Sequence, residues 1–407
     1  MSRLAGSIRI VLFCAVAVYL GNGVLITIVP IRAGLEGFPE SLIGLMGTVH
    51  FAGFAAGCLL GPRMITRVGH VRCFAGFGAL MAILTLIFPS AVDPLVWCAL
   101  RGLGGTCVAV LYLVIESWLN EGSTNDNRGA VLSVYVIIGS LLTVAGQLAV
   151  NFFPETAYEQ FTMAAIFLVF ALVPMTLVDT ATPKPVPEAR LRIGRMWSLS
   201  PTGFVACLTV GFVEGAFWSL GPVFAQGKGM AVADVTVFMA AFVAGGAIMQ
   251  WPIGRLSDFI DRRQAIIGCC LGTATTALVL TVMPFHDQWL AVAIAVLHGG
   301  FMVPLYPLTL AHVNDYAPND ELVEVSGGFL LLYSAGAISG PAIVGYAMDV
   351  HGGSALFIMM VGVFLGLTGF IVARFLIRRY AAEKLSRQAY APVPKTTQSV
   401  YSLETDD

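Results

Sequence analysis

The ten residues Gly254-Arg255-Leu256-Ser257-Asp258-Phe259-Ile260-Asp261-Arg262-Arg263 decide the fold. They separate two long apolar segments, so they are expected to form a short, strongly charged turn between two membrane helices. Gly254 permits close approach of neighbouring helices, and Asp258 can accept hydrogen bonds from the open N-terminus of another helix. The arginines favour the cytoplasmic side of a membrane. The stretch therefore predicts a cytoplasmic turn of a multi-pass membrane protein.

The composition places most of the chain in lipid. Of the 407 residues, 57% are hydrophobic and 11% are charged, and the mean hydropathy is +0.83. Soluble domains carry about 25% charged residues, so this much apolar surface needs lipid to cover it. The formal net charge of −2 gives no field that would attract nucleic acid. We expect membrane lipid as a partner and no nucleic acid.

Few residues are arranged for the chemistry that enzymes use. The eight cysteines lie mostly within apolar segments and show no metal-ligand spacing, so we interpret them as packing residues. Glycine-rich pieces such as Gly102 to Gly105 lack the lysine and the strand–turn–helix context of a phosphate loop. No nucleophile–base pair stands out in the sequence. We therefore expect no cofactor, no metal and no enzymatic activity.

Hydropathy divides the chain into membrane-spanning segments, each of which needs about 20 apolar residues. Twelve such segments are present: 8–30, 41–64, 72–89, 94–118, 129–152, 159–178, 202–225, 233–256, 264–284, 289–313, 325–348 and 354–377. We predict an all-α membrane protein of twelve transmembrane helices in two six-helix repeats. Its parts are an N-terminal six-helix bundle (1–178), a cytoplasmic linker (179–200), a C-terminal six-helix bundle (201–378) and a disordered cytoplasmic tail (379–407).

Lysine and arginine are distributed unevenly between the predicted loops. With the N-terminus inside, the outer loops hold only Arg32 and Lys228 of the 22 lysine and arginine residues. Arg101 lies within a segment, and nearly all the others fall on the inner side. Such asymmetry predicts that both termini are cytoplasmic.

The two groups of six segments resemble each other. Leu111-Tyr112 to Asn120-Glu121 aligns with Leu305-Tyr306 to Asn314-Asp315 at a constant offset of 194 residues. Two glycine pairs keep the same offset: Gly105 with Gly299, and Gly146 with Gly340. Two repeats joined by a cytoplasmic linker are the layout of a transporter whose solute site lies between them at mid-membrane.

The turn from Gly254 to Arg263 resembles the loop signature of the major facilitator superfamily, G-R-L-S-D-R-x-G-R-R. That loop lies between the second and third helices of each half. Phe259 and Asp261 depart from the signature, standing where it has a basic residue and a glycine. The first-half stretch Gly61 to His70 is a degraded copy in which Thr66 takes the acidic place.

Other stretches of the chain also resemble the major facilitator superfamily. Arg101 to Gly105 is similar to the superfamily's R-x-x-x-G pattern in the fourth helix, which is associated with proton coupling. Three stretches resemble the bacterial YcaD-like subgroup: Ile115 to Asn120, Gln250 to Gly254, and Tyr306 to His312. The resemblance implies a monomeric secondary transporter of the bacterial inner membrane. It would move a small solute by alternating access, with protons as the coupled ion. An uncoupled uniporter and a transporter-like solute sensor are the alternatives.

Glu214 is the clearest candidate for chemistry. It lies near the middle of the seventh segment, between small residues that admit a partner or water. A carboxyl inside a membrane costs about 2.5–3.5 kcal/mol on insertion scales, so it is a functional candidate by default. Glu214 is therefore a candidate proton carrier and solute contact. The alternative is a permanently protonated side chain that hydrogen-bonds a neighbouring backbone.

The fourth segment carries a polar stripe. Arg101, Tyr112 and Glu116 fall on one helix face, with the cation toward the outside and the carboxylate near the cytoplasmic end. Because arginine does not readily lose its proton, Arg101 would bind an anionic group or lower the pKa of a facing carboxylate. The alternative is an arginine that snorkels to the outer headgroups. Glu116 is a candidate for gating or for capping the helix end.

The tenth segment repeats the pattern with His298 and Tyr306 on one face. His298 is a candidate proton relay because histidine titrates near neutral pH, although packing is the alternative. Pro304 and Pro307 are expected to loosen this helix. Asn22 of the first segment joins the candidate solute contacts.

The superfamily resemblance adds roles to these residues. It implies that the first, fourth, seventh and tenth helices line the cavity, and each carries one of the best candidates: Asn22, Arg101, Glu214 and His298. Trp218 of the seventh helix is a weaker solute contact. The resemblance also implies that Gly254, Asp258 and Arg262 gate the cytoplasmic side, with the start of the eleventh helix near Ser326-Gly327 as their partner.

Overall fold

The computed structural model describes residues 2–121, 123, 128–177, 193–283, 288–318 and 321–377. All regular structure in these residues is helical. The α-helices are α1 (Ser2–Leu35), α2 (Glu40–Val68), α3 (His70–Ile87), α4 (Pro94–Glu121), α5 (Arg128–Ala149), α6 (Glu159–Leu177), α7 (Ile193–Leu199), α8 (Pro201–Gly227), α9 (Val232–Phe259), α10 (Arg262–Val282), α11 (Gln288–Met302), α12 (Leu305–Asn314), α13 (Leu322–His351) and α14 (Ala355–Ile377). Two short 3-10 turns, Phe88–Ser90 and Val150–Phe152, follow α3 and α5.

Twelve stretches of the described chain are long and apolar enough to cross a membrane. Each corresponds to one helix, except that α11 and α12 together form the tenth span, Gln288–Asn314, and α7 is not a span. A membrane-spanning helix satisfies every backbone polar group within itself, which lipid requires. Large apolar side chains such as Leu141, Ile166 and Ile248 are 60–65% exposed on the outside of the protein and would contact acyl chains. The predicted all-helical, twelve-span fold is confirmed.

The internal repeat is visible in how closely the helices approach. In the first half, Gly105 of α4 packs against the backbone of α2, where an added Cβ would collide with the carbonyl oxygen of His50. In the second half, Gly299 of α11 packs in the same way against α9, where a Cβ would collide with the carbonyl oxygen of Phe242. Small residues that let backbones meet are typical of membrane helix pairs.

A second pair of glycines repeats this behaviour between other helices. A Cβ at Gly146 of α5 would collide with the carbonyl oxygen of Leu20 in α1. A Cβ at Gly340 of α13 would collide with the carbonyl oxygen of Phe212 in α8. Residues that share the 194-residue offset therefore make equivalent contacts in the two halves.

The tenth span is interrupted at Pro304. The helix α11 ends at Met302 and α12 begins at Leu305. Proline has no N–H to donate and its ring clashes with the preceding turn, and here Pro304 and Pro307 lie only three residues apart. Helices with a single internal proline, such as α2 with Pro62, stay continuous. The expected loosening of this span takes the form of a break.

The two halves are hydrogen-bonded to each other on the face opposite the linker. The hydroxyl of Thr48 in α2 donates to the carbonyl oxygen of Ile338 in α13 at 2.7 Å and accepts from the N–H of Ala342 at 3.1 Å. The amide of Asn151, after α5, donates to the hydroxyl of Thr236 in α9 at 2.7 Å. We call the side with these contacts the opposite face, and the side with the end of α6 and the start of α8 the linker face.

The linker between the halves contains a short helix at its end. Arg195 of α7 forms an ion pair of 2.6 Å with Glu321, just before α13, so this helix is held to the second half. Residues 179–192 of the linker lie outside the described residues. The tail 379–407, predicted to be disordered, also lies outside them.

We expect Gly105→Ala to lower the melting temperature of the detergent-solubilised protein. The added methyl would force α4 away from His50 of α2, and overpacking of this kind costs about 1–3 kcal/mol. Gly76→Ala in α3 is the matched control, because a Cβ there meets nothing within 4 Å. A Gly105→Ala protein as stable as the Gly76→Ala protein would contradict the close α2–α4 contact.

Candidate solute cavity between the two halves

A cavity of about 320 Å³ lies between the two halves of the protein. Its lining residues come from α1, α2, α4 and α5 on one side and from α8, α9, α12 and α13 on the other. The lining includes Arg101 of α4 and continues to Glu116, which lies five residues before the end of α4 at the linker face. The hydrogen bonds between Thr48 and α13 close the opposite face. The cavity therefore occupies the middle of the protein and extends toward the linker face.

The structure brings together five of the residues predicted from the sequence. Asn22, Arg101, Tyr112, Glu116 and Trp218 all line the cavity. The first, fourth, seventh and tenth spans each contribute to the lining, as do the second, fifth, eighth and eleventh. The other predicted residues on the seventh and tenth spans, Glu214, His298 and Tyr306, are not part of the lining.

Arg101 presents its side chain to the cavity without an ion-pair partner among the described residues. Its backbone carbonyl oxygen lies 3.3 Å from Nδ1 of His50, which also lines the cavity. A second, small cavity of about 20 Å³ adjoins Arg101 and is lined by Asn22, His50 and Thr85 among others. That volume accommodates a single water molecule.

A cluster of tyrosines lines the first-half side of the cavity, between Arg101 and the linker face. The ring of Tyr19 lies 5.0 Å from that of Tyr112 and 5.6 Å from that of Tyr135. The Asn22 amide donates to the Tyr112 hydroxyl at 3.2 Å. The Tyr135 hydroxyl donates to Oε1 of Glu116 at 3.3 Å. These contacts fix the orientation of the aromatic wall and hold the carboxylate against it.

Glu214 lies behind the cavity wall on the other half. It is 1% exposed, and its Oε2 accepts a hydrogen bond of 2.5 Å from the Tyr333 hydroxyl. Tyr333 lines the cavity, and its ring lies 4.7 Å from that of Tyr306. The small residue Gly215 beside Glu214 admits the backbone of α13 at Ala337. Glu214 is thus separated from the cavity by one phenol, and Tyr306 stands beside that phenol.

Sequence reasoning missed Tyr333 and Tyr135, which hold the two buried carboxyls. A tyrosine inside an apolar segment was the only available signal. Neither its direction nor its partner follows from spacing along its own helix.

His298 is enclosed in an aromatic pocket away from the cavity lining. Its side chain is fully buried, and its ring lies within 6 Å of the rings of Phe217, Phe242 and Phe357. Nδ1 is 2.9 Å from the hydroxyl of Thr276 in α10. The structure does not bring His298 together with the lining residues.

The charged turn of the second half centres on Arg262. This side chain is 3% exposed. Its Nε donates to Oδ2 of Asp315 at 2.8 Å, its Nη1 lies 3.3 Å from the Ser257 hydroxyl, and its Nη2 lies 3.4 Å from Oδ1 of Asp258. Gly254 supplies the carbonyl oxygen that accepts from Ser257 at 2.6 Å. These contacts join the α9–α10 turn to the end of α12, on the linker face.

Asp261 begins α10 by accepting a hydrogen bond of 2.9 Å from the backbone N–H of Arg263. Burial opposes ionisation of this carboxyl, but the hydrogen bonds from Arg263 outweigh it and hold the pKa of Asp261 below its ordinary value. A lowered carboxyl pKa means that this stabilisation is present near neutral pH and is lost as the pH falls through the lowered pKa.

The first-half turn has neither an acid nor an arginine at the positions equivalent to Asp258 and Arg262. With Thr66 in the acidic place, His70 takes the place of Arg262. His70 is buried, and its Nε2 lies 3.0 Å from the hydroxyl of Ser117 in α4. A polar histidine–serine contact therefore joins the first-half turn to its neighbouring helix, where the second half uses an ion pair.

The twelve-span fold in two six-helix halves, with a cavity between them, is that of a membrane transporter. Residues 11–285 and 203–402 match the family model described as Major Facilitator Superfamily. The chain belongs to the Major Facilitator Superfamily.

The chain is also similar to individual bacterial transporters over most of its length. The chain is 27% identical over 384 residues to an uncharacterised transporter of this superfamily from Yersinia pestis, covering 91% of this chain and 95% of the relative. It is 27% identical over 350 residues to the uncharacterised transporter YcaD of Escherichia fergusonii, covering 84% and 89%.

Two solved structures share the fold. The nucleoside transporter NupG superposes with a TM-score of 0.77 at 10% identity, covering 91% of this chain and 99% of that one. A bacterial homologue of the human lysosomal transporter Spinster, in an inward-facing and unoccupied conformation, superposes with a TM-score of 0.70 at 14% identity, covering 94% and 99%.

We expect Asp315→Asn to destabilise the protein more than Asp258→Asn. Asp315 is the closer partner of the buried Arg262, and the neutral amide would weaken the charge-assisted hydrogen bond and remove a counter-charge, which costs about 2 kcal/mol. Asp258 is 33% exposed and lies farther from the guanidinium, so its removal should cost less than about 1 kcal/mol. Thermal melting of both variants in detergent measures the order. The reverse order would contradict Asp315 as the main partner of Arg262.

Proposed function

We propose that the protein is a single-chain secondary active transporter of the bacterial inner membrane. It moves a small solute by alternating access, and the movement is coupled to protons. The cavity between the halves supports this proposal, because a solute there faces the linker side while hydrogen bonds close the opposite face. With both termini in the cytoplasm, as the positive-charge asymmetry favours, the cavity extends toward the cytoplasm.

We place proton coupling on Glu214. Its carboxyl lies in the middle of α8, and a single phenol, Tyr333, connects it to the cavity wall. A movement of α13 that withdrew Tyr333 would expose Glu214 to the cavity and let it exchange a proton. His298, enclosed by phenylalanine rings, has no comparable connection among its described contacts, so we assign it to packing. This assignment of proton coupling rests on the hydrogen bond between the buried Glu214 carboxyl and the Tyr333 phenol.

Gating is assigned to the two ends of the cavity. On the linker face, Arg262 with Asp258 and Gly254 forms the turn that holds the end of α12, and Glu116 lies beside the cavity's inner end. On the opposite face, the contact of α2 with α13 forms the closure. Alternating access then requires the Thr48 contacts to break while the linker face closes.

Glu214→Gln tests the coupling, because the amide keeps the size of the side chain but cannot carry the proton. In everted membrane vesicles containing a pH-sensitive dye, a panel of organic acids, sugars and amphipathic cations would be added in turn. We expect solute-dependent proton movement by the unaltered protein and none by Glu214→Gln. Downhill exchange of the same radiolabelled solute should remain measurable in the variant.

Two variants sharpen this experiment. Glu36→Gln removes an acid that pairs with Arg32 at 2.6 Å on the opposite face, and it should leave proton movement unchanged. Tyr333→Phe should shift the pH dependence of proton movement, because it removes the donor on the Glu214 carboxyl. Unchanged proton movement in Glu214→Gln would remove that residue from the coupling role. Solute exchange without proton movement by the unaltered protein would indicate a uniporter, and binding without exchange would indicate a sensor.

Gly44→Ala should weaken closure of the opposite face. Gly44 of α2 packs so closely on α13 that a Cβ would collide with the carbonyl oxygen of Pro341. A cysteine at Ser219, which lines the cavity, should then react faster with an impermeant thiol reagent added from the opposite face. Gly76→Ala is the control. Equal rates in both variants would contradict the assignment of this contact as the closure.

A further inference from the structure

We propose that the solute is a small organic anion whose anionic group is held by Arg101 and whose apolar body lies against the aromatic rings of the cavity. This inference rests on the proposed transport function and names the class of solute for the same cavity.

Arg101 is a cation that lies well inside a membrane-spanning helix. Arg101 lies seven residues into α4, or about 10 Å from the start of the helix at a rise of about 1.5 Å per residue. A cation at such a depth is costly and is normally paired with an acid or with backbone carbonyls. Among the described residues no carboxylate pairs with the Arg101 guanidinium, which borders the cavity. A solute anion would supply the missing counter-charge.

The acids near the cavity are engaged elsewhere. Glu116 lies fifteen residues further along α4, about 22 Å from Arg101 along the helix axis, and accepts the Tyr135 hydroxyl. Glu214 lies behind Tyr333. Glu116 is 2% exposed and Glu214 is 1% exposed, whereas Arg101 is partly exposed. Of the two charged residues in the lining, Arg101 is therefore the one more exposed to a solute.

The aromatic side chains of the cavity lining indicate the apolar part of the solute. Rings of Phe51, Phe54, Tyr112 and Trp218 border the cavity. A volume of about 320 Å³ is at the small end of the usual range of ligand pockets, about 300–1,000 Å³. An apolar or aromatic body with a single carboxylate, sulfonate or phosphate satisfies both the rings and the arginine. A cationic amphipath would meet the charge of Arg101 with the wrong sign.

The sign of the cavity charge can be measured without knowing the natural solute. The probes are two thiol reagents of similar size, the anionic 2-sulfonatoethyl and the cationic 2-trimethylammonioethyl methanethiosulfonate. A thiolate attacks the sulfenyl sulfur of either reagent, a disulfide forms, and methanesulfinate leaves. The target is Ile26→Cys, because Ile26 lines the main cavity and its neighbour Leu25 lines the small cavity beside Arg101.

Each rate is divided by the rate of the same reagent with a small neutral thiol in solution, because the two reagents differ in intrinsic reactivity. On this normalised scale we expect the sulfonate reagent to react faster than the ammonium reagent at this cysteine. Adding Arg101→Gln should lower the ratio of the two rates by roughly tenfold, because removing a cation from the shared cavity lining slows the anionic reagent and speeds the cationic one. Adding Arg101→Lys should keep the ratio. Adding Arg255→Gln, which removes an arginine over the ring of Trp251, should also keep it.

Several controls make the result decisive. The protein without an added cysteine gives the background from native thiols, of which Cys58 is only partly buried. Ser334→Cys on the α13 wall should show a smaller effect of Arg101→Gln. If Arg101→Gln does not fold, raising the salt concentration should lower the rate ratio in the Ile26→Cys protein itself, because salt screens the charge.

A normalised rate ratio at or below one at low salt, or the same ratio with and without Arg101, would overturn the proposal. Failure of proton coupling in the Glu214 experiment would leave the labelling result intact, because labelling requires neither transport nor a gradient. The two proposals can therefore fail separately.

Discussion

The backbone contact between α8 and α13 is the constraint on which the rest of the candidate site depends. A Cβ at Gly211 would collide with the carbonyl oxygen of Tyr333, and one at Gly336 with that of Leu208. In lipid, helix pairs associate through such close packing because no hydrophobic driving force operates between them. The same contact sets the Tyr333 phenol against Glu214. The partner of the buried carboxyl is thus fixed by helix packing, and no loop is needed to position it.

The fold could be predicted from the sequence because its determinants are local. The length of each apolar segment, and not its partners, decides whether it spans a membrane. The offset that aligns Gly105 with Gly299 also identified equivalent contacts, because both glycines mark places where a backbone must approach. The loosening of the tenth span was expected from Pro304 and Pro307, each of which lacks the N–H that a helix donates. Each of these signals is contained in one segment or in a comparison of two.

The site was predictable only in part because its partners are distant in sequence. Arg101 and Tyr112 share a face of α4, and that face does border the cavity. Tyr333, in contrast, is 119 residues from Glu214, and nothing in its own segment indicates the contact. His298 shares the spacing of Tyr306, yet its neighbours are phenylalanine rings. The rotation of a helix about its axis is set by packing with other helices, and spacing alone does not supply it.

The break in the tenth span has a mechanical consequence. The first part, α11, packs closely against α9 at Gly299. The second part, α12, ends next to Asp315, which accepts a hydrogen bond from Arg262. With ten residues, α12 is about 15 Å long. A tilt of about 10° at Pro304 would therefore displace its far end by about 2.6 Å, close to the diameter of a water molecule. A tilt of α12 alone could thus admit or exclude water at the linker face while the other helices stay in place.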